Sequence, residues 1–393
     1  MFKKQFFNLN EKMKILITGG AGFIGQKLIR ELLKYGDEIR ILDNFNEQIH
    51  AYSDLPDDIA NKVTLYKASV LDKTAVASAL SEVECLVHLA AETGTGQSMY
   101  EIEKYFNVNV QGTAVLLDVL QNTNCGINLK SIIVASSRAI YGEGAYTCQR
   151  HNTVFPDQRT RINLSNRLFD PICPLCGDPL QLTPTSENAP FKPMSVYGLT
   201  KQVQEQAILM YARTRGINGF ALRYQNVFGP GQSLKNPYTG ILAVFSNLAR
   251  QNENIEVYED GDESRDFVYI DDVVDATVLA IKYSGSYVGA LNVGSGKATS
   301  VMSVAKEIVS FFDSTSSIAI SGAFRIGDIR HNIADISEIE RVLGFKPKTD
   351  FKDGLGFFLE WAASQPEQNK AAYGKSVMEL VEKGLMGNVG DNA

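Results

Sequence analysis

The segment Thr18-Gly19-Gly20-Ala21-Gly22-Phe23-Ile24-Gly25 constrains this chain more than any other. It follows a short apolar run, Lys14–Thr18, and opens a stretch, Phe23–Tyr35, in which Ile24, Leu28 and Leu32 recur at the spacing of an amphipathic helix. In that strand–loop–helix context each glycine has a task. Gly19 makes the tight turn, Gly22 lets backbone approach a pyrophosphate, and Gly25 lets the helix pack on the strand. The first helical residues, Phe23 and Ile24, then offer free N–H groups and the positive end of the helix dipole to phosphate. An ordinary turn is the alternative, but the context points to a dinucleotide site.

The rest of the chain continues the alternation. Ile39–Asp43, Val63–Lys67, Cys85–Ala90 and Ser131–Ser136 are short runs rich in Ile, Val and Leu, as strands buried on both faces should be. Separated by helical stretches, they predict a doubly wound α/β Rossmann fold with a parallel sheet. The expected organisation is a disordered leader (1–13), a cofactor domain (14–222 plus 267–298), a smaller C-terminal substrate domain (223–266 plus 299–365) and a tail (366–393). A polar, Pro-dotted insert at 143–185 interrupts the cofactor domain.

Composition narrows the partners. A net charge of −7 argues against a nucleic-acid groove or an anionic membrane surface, both of which favour basic faces. No apolar run is long enough to span a bilayer. Five cysteines in 393 residues do not make a disulfide scaffold, so the cytoplasm is the expected compartment.

Asp43 ends the second strand, where a carboxylate accepts both ribose hydroxyls and repels a 2′-phosphate, selecting NAD over NADP. Asn44 assists it. Leu89-Ala90-Ala91 closes the fourth strand with small residues that let backbone lie along the cofactor; His88 reads as a packed strand-end residue.

Ser136-Ser137 ends the fifth strand, at the sheet edge where sites of such folds form. Downstream, Tyr197-Gly-Leu-Thr-Lys201 begins a helical pattern that puts a phenol and an ammonium on one face. A nearby Lys and a cationic nicotinamide favour phenolate, so Tyr197 is expected to be a general base with a lowered pKa. Ser137 hydrogen-bonds the same substrate oxygen, and Lys201 completes the set.

Taken together, these segments resemble the extended short-chain dehydrogenase/reductases of the sugar-nucleotide epimerase/dehydratase family over roughly residues 14–365. Further matching pieces are Asn109 in Asn107-Val-Asn-Val-Gln-Gly-Thr113, Ser136-Ser-Arg-Ala-Ile-Tyr-Gly142, Leu222–Gly231 and Arg265–Asp272. The resemblance implies NAD, a nucleotide-diphospho-sugar substrate and a homodimer through the helices following Asn109 and Tyr197. It also implies cofactor contacts by Asn109, Ser69 and Val70, and a diphosphate held by Asn226, Arg265 and Arg330. Ser69 departs from the Asp often found there, which puts its adenine contact in question.

Dehydratases of the family carry an Asp-Glu pair straight after the catalytic Ser or Thr. Here Arg138 and Ala139 stand there, so epimerisation at C4 through a 4-keto intermediate is the better reading. A dehydratase and a UDP-hexose 4-epimerase remain the alternatives.

The insert carries Cys148-x2-His151 and Cys173-x2-Cys176-Gly177, paired half-sites that match a closed, structural zinc ribbon. Free thiols or a disulfide are the other readings. With no apolar core of its own, the loop is expected to need such a staple. This loop, Tyr224–Ser233, Asn236–Leu242 and Gly327-Asp-Ile-Arg-His331 also resemble the dTDP-L-rhamnose 4-epimerase branch of the family.

Overall fold

A computed structural model describes residues 7–8, 11–50, 53–235, 240–367 and 371–391. Seven strands form the central sheet: β1 (Lys14–Thr18), β2 (Glu38–Asp43), β3 (Thr64–Lys67), β4 (Cys85–His88), β5 (Ser131–Ser137), β6 (Asn218–Tyr224) and β7 (Val288–Val293). All neighbours pair in parallel, in the order β7-β6-β5-β4-β1-β2-β3. Chain direction across the sheet reverses between β1 and β4, which opens a crevice beyond the C-terminal strand ends.

Alternation along each strand feeds two cores. Ile15 and Ile17 face a cluster with Leu28 and Leu32 of helix Phe23–Lys34 and Val273 of helix Ile270–Ile281. Leu16 faces the other way, with Val76, Leu116 and Ile208. Each such buried side chain contributes about 1.5–3 kcal/mol relative to exposure.

The long helix Val196–Arg215 is bounded by local chemistry. Ser195 caps it by accepting from the N–H of Gly198 at 3.1 Å, and Gly216 ends it in the left-handed region at φ +65. The chain then forms a smaller unit beyond the strand ends. Phe228, Phe267 and Phe351 pack there with ring centroids 5.1–6.0 Å apart, under helices Ile241–Arg250 and Phe351–Ser364.

Two expectations change, and the tail gains a role. The leader is not disordered where it is described: Met13 is buried with its N–H on Asp37 at 2.9 Å, and Phe7 packs on Tyr283; residues 1–6 and 9–10 lie outside the described residues. The insert does have a core, in which Tyr146, Cys148, Val154 and Cys173 gather around the three-stranded sheet Asn152–Val154, Tyr146–Cys148, Gln181–Leu182. The tail is a structural element. Helix Ala371–Glu382 leads to Met386–Gly387, which pairs antiparallel with Phe324–Arg325. Tyr373 meets Tyr258 hydroxyl to hydroxyl at 3.1 Å, and Glu379 accepts from the Tyr100 hydroxyl at 3.0 Å.

Candidate active site

The crevice is a cleft of about 1640 Å³. Its cofactor end is built from the glycine loop. Gly19 sits at φ +69, and a Cβ there would lie 2.7 Å from the backbone N of Ala90, so only glycine lets β1 and the loop after β4 meet. A Cβ on Gly25 would lie 2.5 Å from the carbonyl of Gly20, whereas Gly22 has open space toward the cleft beyond the Gly19 carbonyl at 3.2 Å. Helix Phe23–Lys34 has no acidic side chain in its first turn, which leaves its N-terminus to an anion. Phe23, Ile24, Asn44, Ser69, Val70, Leu89, Ala90 and Ala91 all line this end. Asp43 lines it as well, and its carboxylate accepts from the N–H of Ala21 and of Phe45 at 3.0 and 2.9 Å.

Asn109 is different. It lies in a one-turn π-helix, Phe106–Gln111, is fully buried and does not line the cleft. Its amide oxygen accepts from the N–H of Glu92 at 2.7 Å, and its nitrogen donates to the Glu92 carbonyl and the Thr200 hydroxyl. The sequence expectation of a cofactor contact is therefore corrected: with every amide position taken, Asn109 orients the loop after β4.

Ser137, Tyr197 and Lys201 come together in the cleft as expected. The Ser137 hydroxyl faces the Tyr197 phenol and favours its ionised form. Lys201 Nζ donates to Gln204 Oε1 at 2.8 Å; Gln204 in turn meets Thr113 and His88, and His88 meets Thr18 at 2.7 Å. This row seats the Lys201 amine through an amide rather than a carboxylate hydrogen bond. Burial lowers the Lys201 pKa to about 7, with Glu205 opposing, and lowers that of His88 to about 3, which keeps the imidazole neutral.

The Tyr197 pKa goes the other way from the sequence expectation. Burial raises it, and the groups that oppose burial are Ser137 and Arg138. Arg138 lines the cleft, and burial beside Arg265 lowers its pKa only to about 10, so it is cationic at neutral pH. A lysine that titrates near 7 is a weak ally of the phenolate. The neighbouring arginine is the stronger one.

At the substrate end, Asn226 lines the cleft with its amide oxygen buried and unpartnered by protein. Arg265 lines it too, its guanidinium held by the Arg330 and Ile329 carbonyls at 3.0 and 2.9 Å and by Asp328 at 3.1 Å. Arg330, expected beside it, faces away. Its guanidinium is spent on Asp170, Glu259 and Asp260 at 2.7–3.0 Å, and it does not line the cleft. Arg325, five residues earlier, takes the place: it stacks over Tyr258 at 4.9 Å and lines the cleft with Nε unpartnered. Sequence reasoning also missed Glu263, a buried carboxyl on the cleft wall whose Oε2 has no protein partner and whose pKa burial raises to about 7.

In the insert, Cys148, His151, Cys173 and Cys176 place one ligand atom each within 4.8 Å of all the others. Cys148 Sγ lies 3.6 Å from His151 Nδ1 and 3.7 Å from Cys176 Sγ, and Cys173 Sγ lies 3.5 Å from His151 Nδ1. Tetrahedral bonds of about 2.3 Å to one ion put ligand atoms about 3.7 Å apart, so the donor set suits zinc. A disulfide needs sulfurs at about 2.05 Å, and none of the five cysteines is bonded. The short Cys173–Gly177 turn is closed by the Gly177 N–H on the Cys173 carbonyl at 2.8 Å, with Gly177 at φ +74.

Known proteins share this architecture. The chain is 39% identical to a dTDP-L-rhamnose 4-epimerase of Burkholderia thailandensis over 91% of its own length and 97% of that protein. Among solved structures, a UDP-N-acetylglucosamine 4-epimerase of Methanobrevibacter ruminantium, in complex with UDP-N-acetylmuramic acid, superposes with TM-score 0.72 at 26% identity, covering 91% of this chain and all of that one. A UDP-glucose 4-epimerase of Thermotoga maritima with UDP-glucose gives 0.70 at 27%, covering 89% and 98%. The sequence profile of the NAD dependent epimerase/dehydratase family matches residues 15–161 and 173–294, skipping the middle of the insert and stopping before the last C-terminal segments. With cofactor loop, Ser137, Tyr197 and Lys201 in one cleft, the chain belongs to the NAD-dependent epimerase/dehydratase family.

Proposed function

We propose that the protein inverts C4 of a nucleotide-diphospho-sugar, with dTDP-L-rhamnose or a related dTDP-6-deoxyhexose as substrate. The observation that carries the reaction type is the pair after Ser137: Arg138 and Ala139 offer no carboxyl for the proton transfers of water elimination. The likeness to the Burkholderia protein supports the sugar.

Bound NAD supplies a hydride acceptor that becomes a donor within the same turnover. Tyr197 takes the proton from the C4 hydroxyl and later returns it, while Ser137 hydrogen-bonds the same oxygen and Arg138 favours the phenolate. Lys201, seated by Gln204, holds the ribose side of the site. Arg265, Arg325 and Asn226 hold the diphosphate, leaving the 4-keto sugar free to turn its other face between the two hydride transfers. The catalytic and binding assignments and the domain bounds given above are parts of this reading, with Arg325 in place of Arg330.

The same reading gives the insert a structural zinc ion at its four-residue cluster, supported by the ligand spacing. It makes the protein a cytoplasmic homodimer through helices Gly112–Asn122 and Val196–Arg215. These pack side by side, and the second exposes Met210; sedimentation or light scattering at twice the chain mass is the check. Among the described residues no helix is long and apolar enough to cross a membrane.

The test is incubation with dTDP-L-rhamnose and, separately, UDP-glucose, following the sugar H4 signals by NMR. Conversion of the first to its C4 epimer without net change in NAD is the expected result. Activity on UDP-glucose alone would move the assignment to a UDP-hexose epimerase, loss of water to a dehydratase, and net NAD consumption to a dehydrogenase.

A further inference from the structure

Why the chain carries a metal-type loop so close to its cleft is answered by what the loop touches. The loop leaves β5 just after Ser137, and Glu143, at its start, is buried with its carboxylate split between two targets. Oε1 pairs with Arg159 Nε at 3.1 Å and Oε2 accepts from the backbone N–H of Arg330 at 2.8 Å. Arg159, with 4% of its side chain exposed, reaches the Glu259 carboxylate at 2.8 Å and donates to the Asp328 carbonyl at 3.1 Å. Asp170 holds Arg330 from the same loop. Segment 328–330 is thus gripped from the insert side by Glu143, Arg159 and Asp170. On its other side the same segment supplies three of the four groups that seat the Arg265 guanidinium in the cleft, the fourth being the Ser264 carbonyl.

Arg159 and Asp170 both lie between the two ligand pairs, Cys148/His151 and Cys173/Cys176. Closing the cluster on one ion fixes both ends of the 152–172 excursion, and with them the reach of these side chains. A buried ion-pair lattice of this kind contributes little net stability against an apolar substitute, but it specifies one geometry.

We propose that the metal centre of the insert is a positioning device for substrate binding. By clamping the loop that carries Arg159, it sets segment 328–330 and so aims Arg265 at the substrate diphosphate. The inference rests on the substrate and zinc readings above. Glu143 and Arg159 are positioning residues, since they touch neither cofactor nor reacting atoms. An arginine mis-aimed by about 1 Å loses much of its hold on a phosphate, so the effect belongs to substrate affinity.

The experiment uses the full-length protein, dTDP and UDP as probes, and four readouts: metal content by mass spectrometry, calorimetric affinity for the probe, bound NAD, and KM against kcat. Arg159→Gln keeps all four ligands and is expected to keep one zinc per chain and its NAD, with nucleotide affinity down about tenfold and KM up in step, kcat changing little. Cys173→Ser with Cys176→Ser is expected to lose the metal and show the same affinity loss. Should the double variant fail to fold, Arg159→Gln carries the test alone. Unchanged nucleotide affinity in Arg159→Gln, or in a folded metal-free double variant, overturns the coupling. So does a wild-type protein purified without a stoichiometric metal. A wild type that binds its metal but neither probe refutes the substrate reading, and the coupling falls with it.

Discussion

Asn109 Nδ2 donates to Thr200 Oγ1 at 2.9 Å, so the π-turn beside β4 and the helix bearing Tyr197 and Lys201 share one buried hydrogen bond. The same amide holds both backbone groups of Glu92. Replacing Asn109 by Ala strands the N–H and carbonyl of Glu92, each costing about 1–3 kcal/mol when left unpaired, while the Thr200 hydroxyl keeps its bond to the Tyr197 carbonyl. We expect Asn109→Ala to lower the thermal midpoint clearly, read by calorimetry, and to loosen NAD. A variant with wild-type stability would remove Asn109 from this role.

Tyr197→Phe keeps the ring, which packs edge-on against Tyr105 at 6.5 Å, and deletes only the proton carrier. Turnover should fall by about 10²–10⁴-fold, the usual contribution of one positioned acid–base group. Bound NAD, measured by absorbance after denaturation, should be unchanged. Near-normal rates would overturn the mechanism.

Gly25 and Gly22 separate two functions of one loop. In Gly25→Ala the new methyl meets the Gly20 carbonyl backbone at 2.5 Å, which cannot swing aside. Stability should drop by about 1–3 kcal/mol, as for overpacking elsewhere. In Gly22→Ala the methyl points to the cleft, so NAD affinity should fall with little change in the melting curve. Equal behaviour of the two variants would contradict the assigned geometry.

Lys201 is held neutral more readily when folded than when unfolded, its pKa lowered to about 7 by burial from an unfolded value near 10.4. Between those values the unfolded chain binds the extra proton, so this group makes stability rise with pH from about 7 to about 10. Below 7 both states are protonated and the contribution is flat. Melting temperatures of wild type and Lys201→Met across that range should diverge with this sign; parallel curves would argue against a neutral lysine.

Arg330→Leu should act as a folding variant rather than a binding variant. It leaves the buried Glu259 with Arg159 alone and returns the partly exposed Asp260 and Asp170 to water, so a loss of about 1–3 kcal/mol is expected. Denaturant midpoints should report this. Arg325→Leu, by contrast, should raise KM with a smaller change in midpoint.

Much of this was legible in the chain because the information is local. The glycine loop, the strand runs ending at Asp43 and Ser137, and the four-residue Tyr197–Lys201 spacing are set by neighbours within one or two turns, and all appear as read. The Cys and His pairs are also local, and two such pairs leave few ways to meet. What was not legible is decided by distant partners. Arg325 and Arg330 sit in one short stretch, yet Glu259, Asp260 and Asp170 claim only the second. Asn109 carries a familiar motif position, but Glu92 and Thr200 exhaust its amide. The Tyr197 environment is set mainly by burial, which no spacing rule registers, and Arg138 reads from sequence only as a missing acid rather than as a charge facing the phenol. The segment Asn236–Thr239 of the branch resemblance lies outside the described residues.

The antiparallel rung between Arg325 and Met386 gives the far end of the polypeptide a say in chemistry performed elsewhere. Helix Ala371–Glu382, just before it, lends Tyr373, Ser376 and Leu380 to the cleft wall. Removing residues 371–391 is expected to open this wall of the cleft and to raise KM.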